Sequence, residues 1–271
     1  MLLILAVPAL LPMLWMITTS LKDDTQIYNA AGKSAGAFSL GALIPNPFKP
    51  SNYAEALASV PLVEYLRNTL ILCTFSIIGA VGSSALVAYG FARVKFAGRD
   101  VLFLLMISTM ALPGQVTMIP RFAMFREFGW YGTYLPLIVP TFFASPFLVF
   151  LLKQFFQTLP EEMSEAARVD GASDWTVFTR LVLPLSRPAL ATCSLFVFLG
   201  AWNDFFGPLL YINNPARYTL AYGLQQFLSA YGGKWAQLMA ASTLFTVPII
   251  ILFFFAQKTF IQGISTTGGK S

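Results

Sequence analysis

Residues 161–174 read EEMSEAARVDGASD and gather Glu161, Glu162, Glu165, Asp170 and Asp174, five of the twelve acidic side chains in an otherwise oily chain. Carboxylates on a surface accept charge-assisted hydrogen bonds from Arg and Lys of a facing surface, bonds about twice as strong as neutral ones. Trp202, Asn203 and Asp204 set an aromatic ring, an amide and a carboxylate in succession inside an apolar run. Gly268-Gly269-Lys270-Ser271 imitates the end of a phosphate-binding loop, but Ile264 stands where that loop needs its first glycine, and no helix follows to receive a phosphate. ATP binding by this chain is therefore not expected. There is no histidine, which removes HExxH zinc sites and nucleophile–His–Asp relays. Cys73 and Cys193 fall in apolar runs and read as small buried hydrophobes. No catalytic residue, metal site or cofactor of the chain's own is expected.

These groups have to be positioned by elements that live in lipid. Hydrophobic residues make up 56% of the 271 residues and charged ones 11%, against about 25% charged in soluble domains. Crossing a hydrocarbon core about 30 Å thick takes about 20 mostly apolar residues as a helix. The chain reads as an all-α integral membrane protein with six transmembrane helices, at roughly Met1–Thr19, Leu66–Ala92, Val101–Ile119, Tyr131–Leu152, Pro188–Ile212 and Leu238–Ala256. The first run has neither a basic lead nor a small-x-small cleavage site, so it is read as a span and not as a cleaved signal. Prolines 113, 136, 140, 146, 208 and 248 lie in or beside spans. Each frees a carbonyl that a neighbouring helix or water must satisfy, which suits kinked helices around a cavity.

Arg93, Lys95 and Arg99 crowd the short link between the second and third spans, and Lys153, Arg168, Arg180 and Arg187 mark the link between the fourth and fifth. This basic density puts both termini and the acidic run in the cytoplasm. It also accounts for the net charge of +5 without nucleic acid as a partner.

Within the acidic run, Thr158 and Glu161 have capping-box spacing, with Pro160 in the first turn. Gly171 is a helix stop able to take positive φ, and Ser173 caps a second helix. That helix is expected to show Trp175, Phe178 and Leu181 on one face and to end at Pro184. The product is a cytoplasmic helix–turn–helix. Ala166 and Ala167 form a smooth patch for close approach, flanked by Glu165 and Asp170. A plain solvated loop would not need that patch or the hinge.

The run continues as EAARVDGASDWTVFTRLVLP, which fits the pattern of EAA, three residues, Gly, nine residues, an aliphatic, one residue and Leu-Pro. Glu165, Ala166, Ala167, Gly171, Leu181, Leu183 and Pro184 fill it, with Leu181 where Ile is frequent. In this the chain resembles the permease subunits of binding-protein-dependent ABC importers. The stretches AYGFARVKFAGRD, LPLSRPALAT, FLGAWNDFFGPLLYI and FIQGISTTGGK resemble the carbohydrate-uptake branch and its six-span second permease, the maltose-transporter second-permease type.

The resemblance implies a bacterial or archaeal inner-membrane protein that pairs with a second permease around one pathway. It implies a separate ATP-binding cassette ATPase dimer, carrying ATP and Mg, that receives the acidic run as a coupling helix. Glu165, Ala166, Ala167, Asp170, Gly171 and Pro184 belong to that element. An extracytoplasmic solute-binding protein delivers the solute to the outer segment after residue 212, and lipid surrounds the bundle. Trp202, Asn203 and Asp204 become candidates for the solute path or gate, with a structural role in a kinked helix as the alternative. On this reading residues 1–262 form the permease domain, with a coupling loop over 157–187, and 263–271 a flexible cytoplasmic tail. A stand-alone secondary transporter or channel is the competing class, but Asp204 has no basic partner beside it in sequence for an ion relay.

Overall fold

The computed structural model describes residues 2–27, 43–229 and 234–268, without the side chains of 2–7 and 255–268. Every regular element among them is helical. In chain order these are α1 (Leu2–Ser20), α2 (Asp24–Ile27), α3 (Ser51–Ser59), α4 (Leu62–Arg93), α5 (Arg99–Ser108), α6 (Gly114–Glu127), α7 (Leu135–Ile138) and α8 (Pro146–Thr158). Then follow α9 (Glu161–Val169), α10 (Asp174–Val177), α11 (Leu183–Leu185), α12 (Arg187–Trp202), α13 (Phe206–Tyr211), α14 (Leu220–Leu224), α15 (Gln226–Ser229) and α16 (Trp235–Gly268).

Among the described residues, Leu62–Arg93, Leu135–Thr158 and Trp235–Phe254 are long and apolar enough to cross a membrane. Arg99–Ala111 with Gly114–Glu127, and Asp174–Leu185 with Arg187–Trp202, reach that length only as pairs bent by 95° and 78°. Three to five spans meet the criterion. The 19-residue α1, with Pro8 and Pro12 inside it, stands where the first span is expected.

Three of the spans expected to be kinked are broken outright. The run Val101–Ile119 breaks at Leu112–Pro113, because proline lacks an N–H and pushes Leu112 to φ −81, ψ 114, out of the helical region. The run Tyr131–Leu152 breaks between a 3₁₀ turn, Val139–Phe143, and α8. The run Pro188–Ile212 is α12 and α13, parted at Asn203–Phe205. At the other end of the chain helix α16 continues to Gly268, past the expected start of the tail at 263, with no proline after Pro248 to interrupt its hydrogen bonds. Residues 269–271 of the expected tail, 230–233 of the outer segment, and 38–42 of the stretch 38–53, whose Pro45, Pro47 and Pro50 read as a semi-rigid extracytoplasmic connector, lie outside the described residues.

Two compact bodies make up the chain: Met1–Thr69 with Pro215–Phe253, and Leu70–Asn214 with Phe254–Ser271. In the first, short helices are tied by side-chain amides and hydroxyls, which satisfy backbone groups that the short helices leave unpaired. Asn52, 2% exposed, donates from Nδ2 to the carbonyls of Ser20 and Lys22 at 2.8 and 2.7 Å. Asn68 does the same for Ala216 and Tyr218 at 2.9 and 3.0 Å. Thr69 accepts the Leu220 amide at 2.9 Å. Gln237 donates to Glu55 at 2.8 Å, beside an Asp24 carboxylate that accepts the Ala236 amide at 3.0 Å.

The second body holds the larger apolar core. Ala85, Ala88 and Tyr89 of α4, Leu148, Val149, Leu152 and Phe156 of α8, and Val177, Phe178 and Val182 beyond α9 are buried together, with Cys193 of α12. Gly79 lets the 3₁₀ turn lie against α4; a Cβ there would come 2.5 Å from Thr141 Oγ1 and 2.6 Å from the Phe142 ring. One turn later, the hydroxyls of Ser83 and Ser84 accept the amides of Ala144 and Ser145 at 3.0 and 2.9 Å, across the break in the expected fourth span.

Candidate functional site

Helix α9 begins at Glu161, with Pro160 at its N-cap and no side chain capping it. The expected capping box is not formed. Thr158 instead belongs to the last turn of α8, where its hydroxyl donates to the Phe155 carbonyl at 2.7 Å. Glu161 and Glu162 still occupy the first turn of α9, where carboxylates suit the positive end of the helix dipole.

The far end of α9 follows the sequence reading closely. Gly171 takes φ +84. Its amide donates to the Arg168 carbonyl at 3.0 Å, and the Ala172 amide donates to the Ala167 carbonyl at 2.9 Å. Those two bonds define a Schellman stop, which uses up carbonyls the helix would leave unpaired. Ser173 Oγ then accepts the Thr176 amide at 3.2 Å and caps α10. Arg168 closes the turn from the side, with Nε and Nη2 at 3.1 and 3.0 Å from one oxygen of Asp174. That hydrogen bond, above all, raises the guanidinium's pKa from its ordinary value.

Glu165, Ala166 and Asp170 are exposed, whereas Ala167 is half-buried against the core, so the expected alanine patch is divided between two faces. The exposed apolar side chains that the sequence reading missed are Met163 at 38% and Val169 at 88%; Trp175, expected on a face of the second helix, is 63% exposed across the turn. The spacing of Met163, Ala166 and Val169 by threes was the available signal. The second helix also differs from expectation. After α10 the chain makes a π turn, Phe178–Val182, before α11. The buried face is Val177, Phe178 and Val182, with Trp175 outside and Leu181 half-buried. The helical run Asp174–Leu185 ends one residue past Pro184, close to the expected stop. Pro184 sits exposed in the first turn of α11, where its missing N–H is harmless.

The structure separates Trp202, Asn203 and Asp204. Trp202 is 0% exposed and stacks on Phe198 with ring centroids 5.2 Å apart. Asn203 is exposed and donates from Nδ2 to the Leu199 carbonyl at 2.8 Å, finishing α12. Asp204 alone of the three lines a cavity of about 490 Å³, within the usual size of a small-molecule site. Its Oδ1 accepts the Gly207 amide at 2.9 Å and so holds the start of α13. Gly207 is needed there because a Cβ would strike the other Asp204 oxygen and Leu137.

Arg121, Phe125, Thr141, Phe196 and Tyr211 line the same cavity. Arg121 and Tyr211 were not legible as partners of Asp204, since they come from α6 and from the far end of α13. Arg121 donates to Thr117 at 2.8 Å. Ala144, another lining residue, has φ +61, ψ 149, a region that side chains other than glycine's enter only under strain. Among the described residues no three His, Cys, Asp or Glu side chains gather as a metal site would require.

The chain is similar to known proteins along nearly its whole length. It is 30% identical to the diacetylchitobiose uptake system permease protein NgcG of Streptomyces coelicolor, over 98% of this chain and 85% of that protein. It is also 30% identical to the trehalose/maltose transport system permease protein MalG of Thermococcus litoralis, over 97% and 92%. Its fold matches a chain in the crystal structure of a bacterial ABC transporter that imports the acidic polysaccharide alginate. The TM-score is 0.76 at 22% identity, covering 95% of this chain and 92% of that one. Residues 80–266, which include α9 and the residues that line the cavity, match the profile of one family of transport components that are not themselves enzymes. The chain belongs to that family, the inner membrane components of binding-protein-dependent transport systems.

Proposed function

We propose that this chain is one of two permease subunits of an ATP-driven importer of sugars or related polyols, spanning the membrane six times with both termini in the cytoplasm. The observation that carries the reading is the outward face of α9. Glu165, Ala166 and Asp170 are exposed with Met163 and Val169, on a turn fixed by Gly171 and backed by the core of its own body. Such a face fits a partner that supplies Arg or Lys at its rim and a hollow for small apolar groups. A separate ATPase dimer, holding ATP and Mg, docks there and transmits its closure to the spans. A second permease completes the pathway and an extracytoplasmic binding protein delivers the solute. The named uptake systems of the relatives support sugars as the solute class.

Asp204, with Arg121 and Tyr211, forms this chain's wall of the solute path, a carboxylate, a guanidinium and aromatic faces suited to polyhydroxyl compounds. Trp202 and Asn203 hold the broken helix that presents Asp204.

Gentle purification of the tagged chain from its native membrane, with mass spectrometry of what accompanies it, tests the assembly. An ATPase, a second permease and a binding protein are expected. Recovery of the chain alone, under conditions that keep related complexes whole, would return it to the stand-alone transporter class. Glu165→Lys should weaken ATPase recovery, since losing one partner of a buried charge pair costs about 2–5 kcal/mol. Asp204→Asn should keep the complex and change transport. Loss of the complex with no separate transport defect would make Asp204 structural only.

A further inference from the structure

The end of α4 holds both sides of the coupling element. Arg93, in its last turn, donates from Nη2 to the carbonyls of Phe156 and Leu159, both at 2.6 Å. Those carbonyls belong to the end of α8, where internal donors run short; besides Arg93, the Phe156 carbonyl has the Leu159 amide at 3.4 Å. Only Pro160 separates Leu159 from the first residue of α9, and proline's fixed φ leaves that join little freedom. Tyr89 lies one turn back on the same face of α4. It is 5% exposed, and its ring centroid is 5.0 Å from that of Phe178, on the far side of α9. Its hydroxyl lies beside the Arg168 guanidinium without a formed hydrogen bond.

We propose that Arg93 is a positioning residue that, together with Tyr89, joins the coupling element to α4, so that a displacement of α9 is delivered to the membrane through that helix. The proposal rests on the reading that α9 docks an ATPase. Arginine suits the position because its planar, permanently charged group presents several donors in fixed directions, so one side chain bridges two carbonyls. The close-packed cluster of Ala85, Ala88, Tyr89, Leu152, Phe156, Val177 and Phe178 then makes the joint stiff, since packed interiors transmit displacement instead of absorbing it. The element is thus held where it begins and where it returns, by residues four apart on one helix.

The test uses the reconstituted complex of this chain with its ATPase and second permease. Arg93→Gln should retain bound ATPase and basal ATP hydrolysis, while solute uptake falls about tenfold or more, as expected from losing hydrogen bonds to a charged group. Arg93→Lys should recover part of the uptake. Unchanged uptake in Arg93→Gln overturns the proposal, as does parallel loss of uptake and basal hydrolysis, the mark of a merely structural residue.

If Arg93→Gln fails to fold, a second measurement stands without it. Spin labels on Leu86→Cys of α4 and Glu162→Cys of α9, both at exposed positions, report the distance between helix and element. One narrow distance, unchanged with and without nucleotide, is expected. A distance that shifts with nucleotide overturns the joint. Absence of bound ATPase from the unsubstituted complex would instead fail the docking reading beneath it.

Discussion

Arg168 and Asp174 meet across the Gly171 turn through two nitrogens on one oxygen, at 3.1 and 3.0 Å, with their side chains 37% and 57% exposed. Water reaches both groups, so the pair should add little to stability. A double-mutant cycle of Arg168→Gln and Asp174→Asn, read by thermal unfolding, should give a coupling of at most about 1 kcal/mol. A coupling above about 2 kcal/mol would mean that the pair is shielded far better than its exposure indicates.

Gly171→Ala isolates the backbone's share of the same turn. No atom lies within 4 Å of the position a Cβ would take, so only the positive φ of +84 opposes the change. The loss should be about 1–2 kcal/mol, the ordinary penalty for an L-residue in left-handed backbone. Gly171→Asn should be milder. Equal melting temperatures for Gly171→Ala and the unsubstituted chain would show that this turn tolerates another conformation.

Gly79 and Gly82 of α4 form a matched pair. A Cβ on Gly79 would meet Thr141 and the Phe142 ring, whereas one on Gly82 meets nothing within 4 Å. Gly79→Ala should therefore destabilise by about 1–3 kcal/mol through overpacking. Gly82→Ala should be neutral or gain about 0.5–1 kcal/mol from reduced backbone freedom in the unfolded chain. Melting temperatures in one detergent decide it, and the reverse order would refute the close approach at Gly79.

Two carboxylates of the first body set an acid limit on its stability. Asp23 is held below its ordinary pKa by hydrogen bonds from the Thr25 amide and hydroxyl, with Lys49 adding to the effect. Glu55 is held low by Gln237 and then Ser51, with Lys49 and Lys234 nearby. A depressed folded-state pKa gives stability that is present above the unfolded value, about 4, and is lost as pH falls through the folded one. Stability should thus decline on acidification below about pH 5, and Asp23→Asn with Glu55→Gln should flatten that decline. An unchanged slope in the double variant would assign the acid limit to other groups.

The parts of this molecule legible in the sequence are those set by one residue's own backbone or side chain. Gly171 announces a left-handed stop, Ser173 a cap, and Pro113 a break, each by chemistry that acts within a few residues. Thr158 misled because a threonine hydroxyl serves equally as the cap of a following helix or, as here, as a donor back into the preceding one. Ala144 gives no signal for its positive φ; what holds it there is Ser83, about sixty residues earlier in the chain. The π turn likewise leaves no mark in FTRLV. Asp204 was conspicuous as an acid among apolar residues, but its cavity partner Arg121 lies on a different helix, and nothing local links the two.

The two serine hydroxyls that receive the amides of Ala144 and Ser145 also bear on how the protein is made. A break in a span exposes backbone donors in a medium without water, at several kcal/mol for each one left unmet. Ser83 and Ser84 precede residues 144 and 145 in the chain, and synthesis runs from the amino terminus. When the ribosome delivers the broken segment to the bilayer, the acceptors it needs have already been synthesised on α4. Biosynthetic order therefore provides the template before the part that depends on it, and a circular permutation that reversed this order would leave those donors to be inserted first.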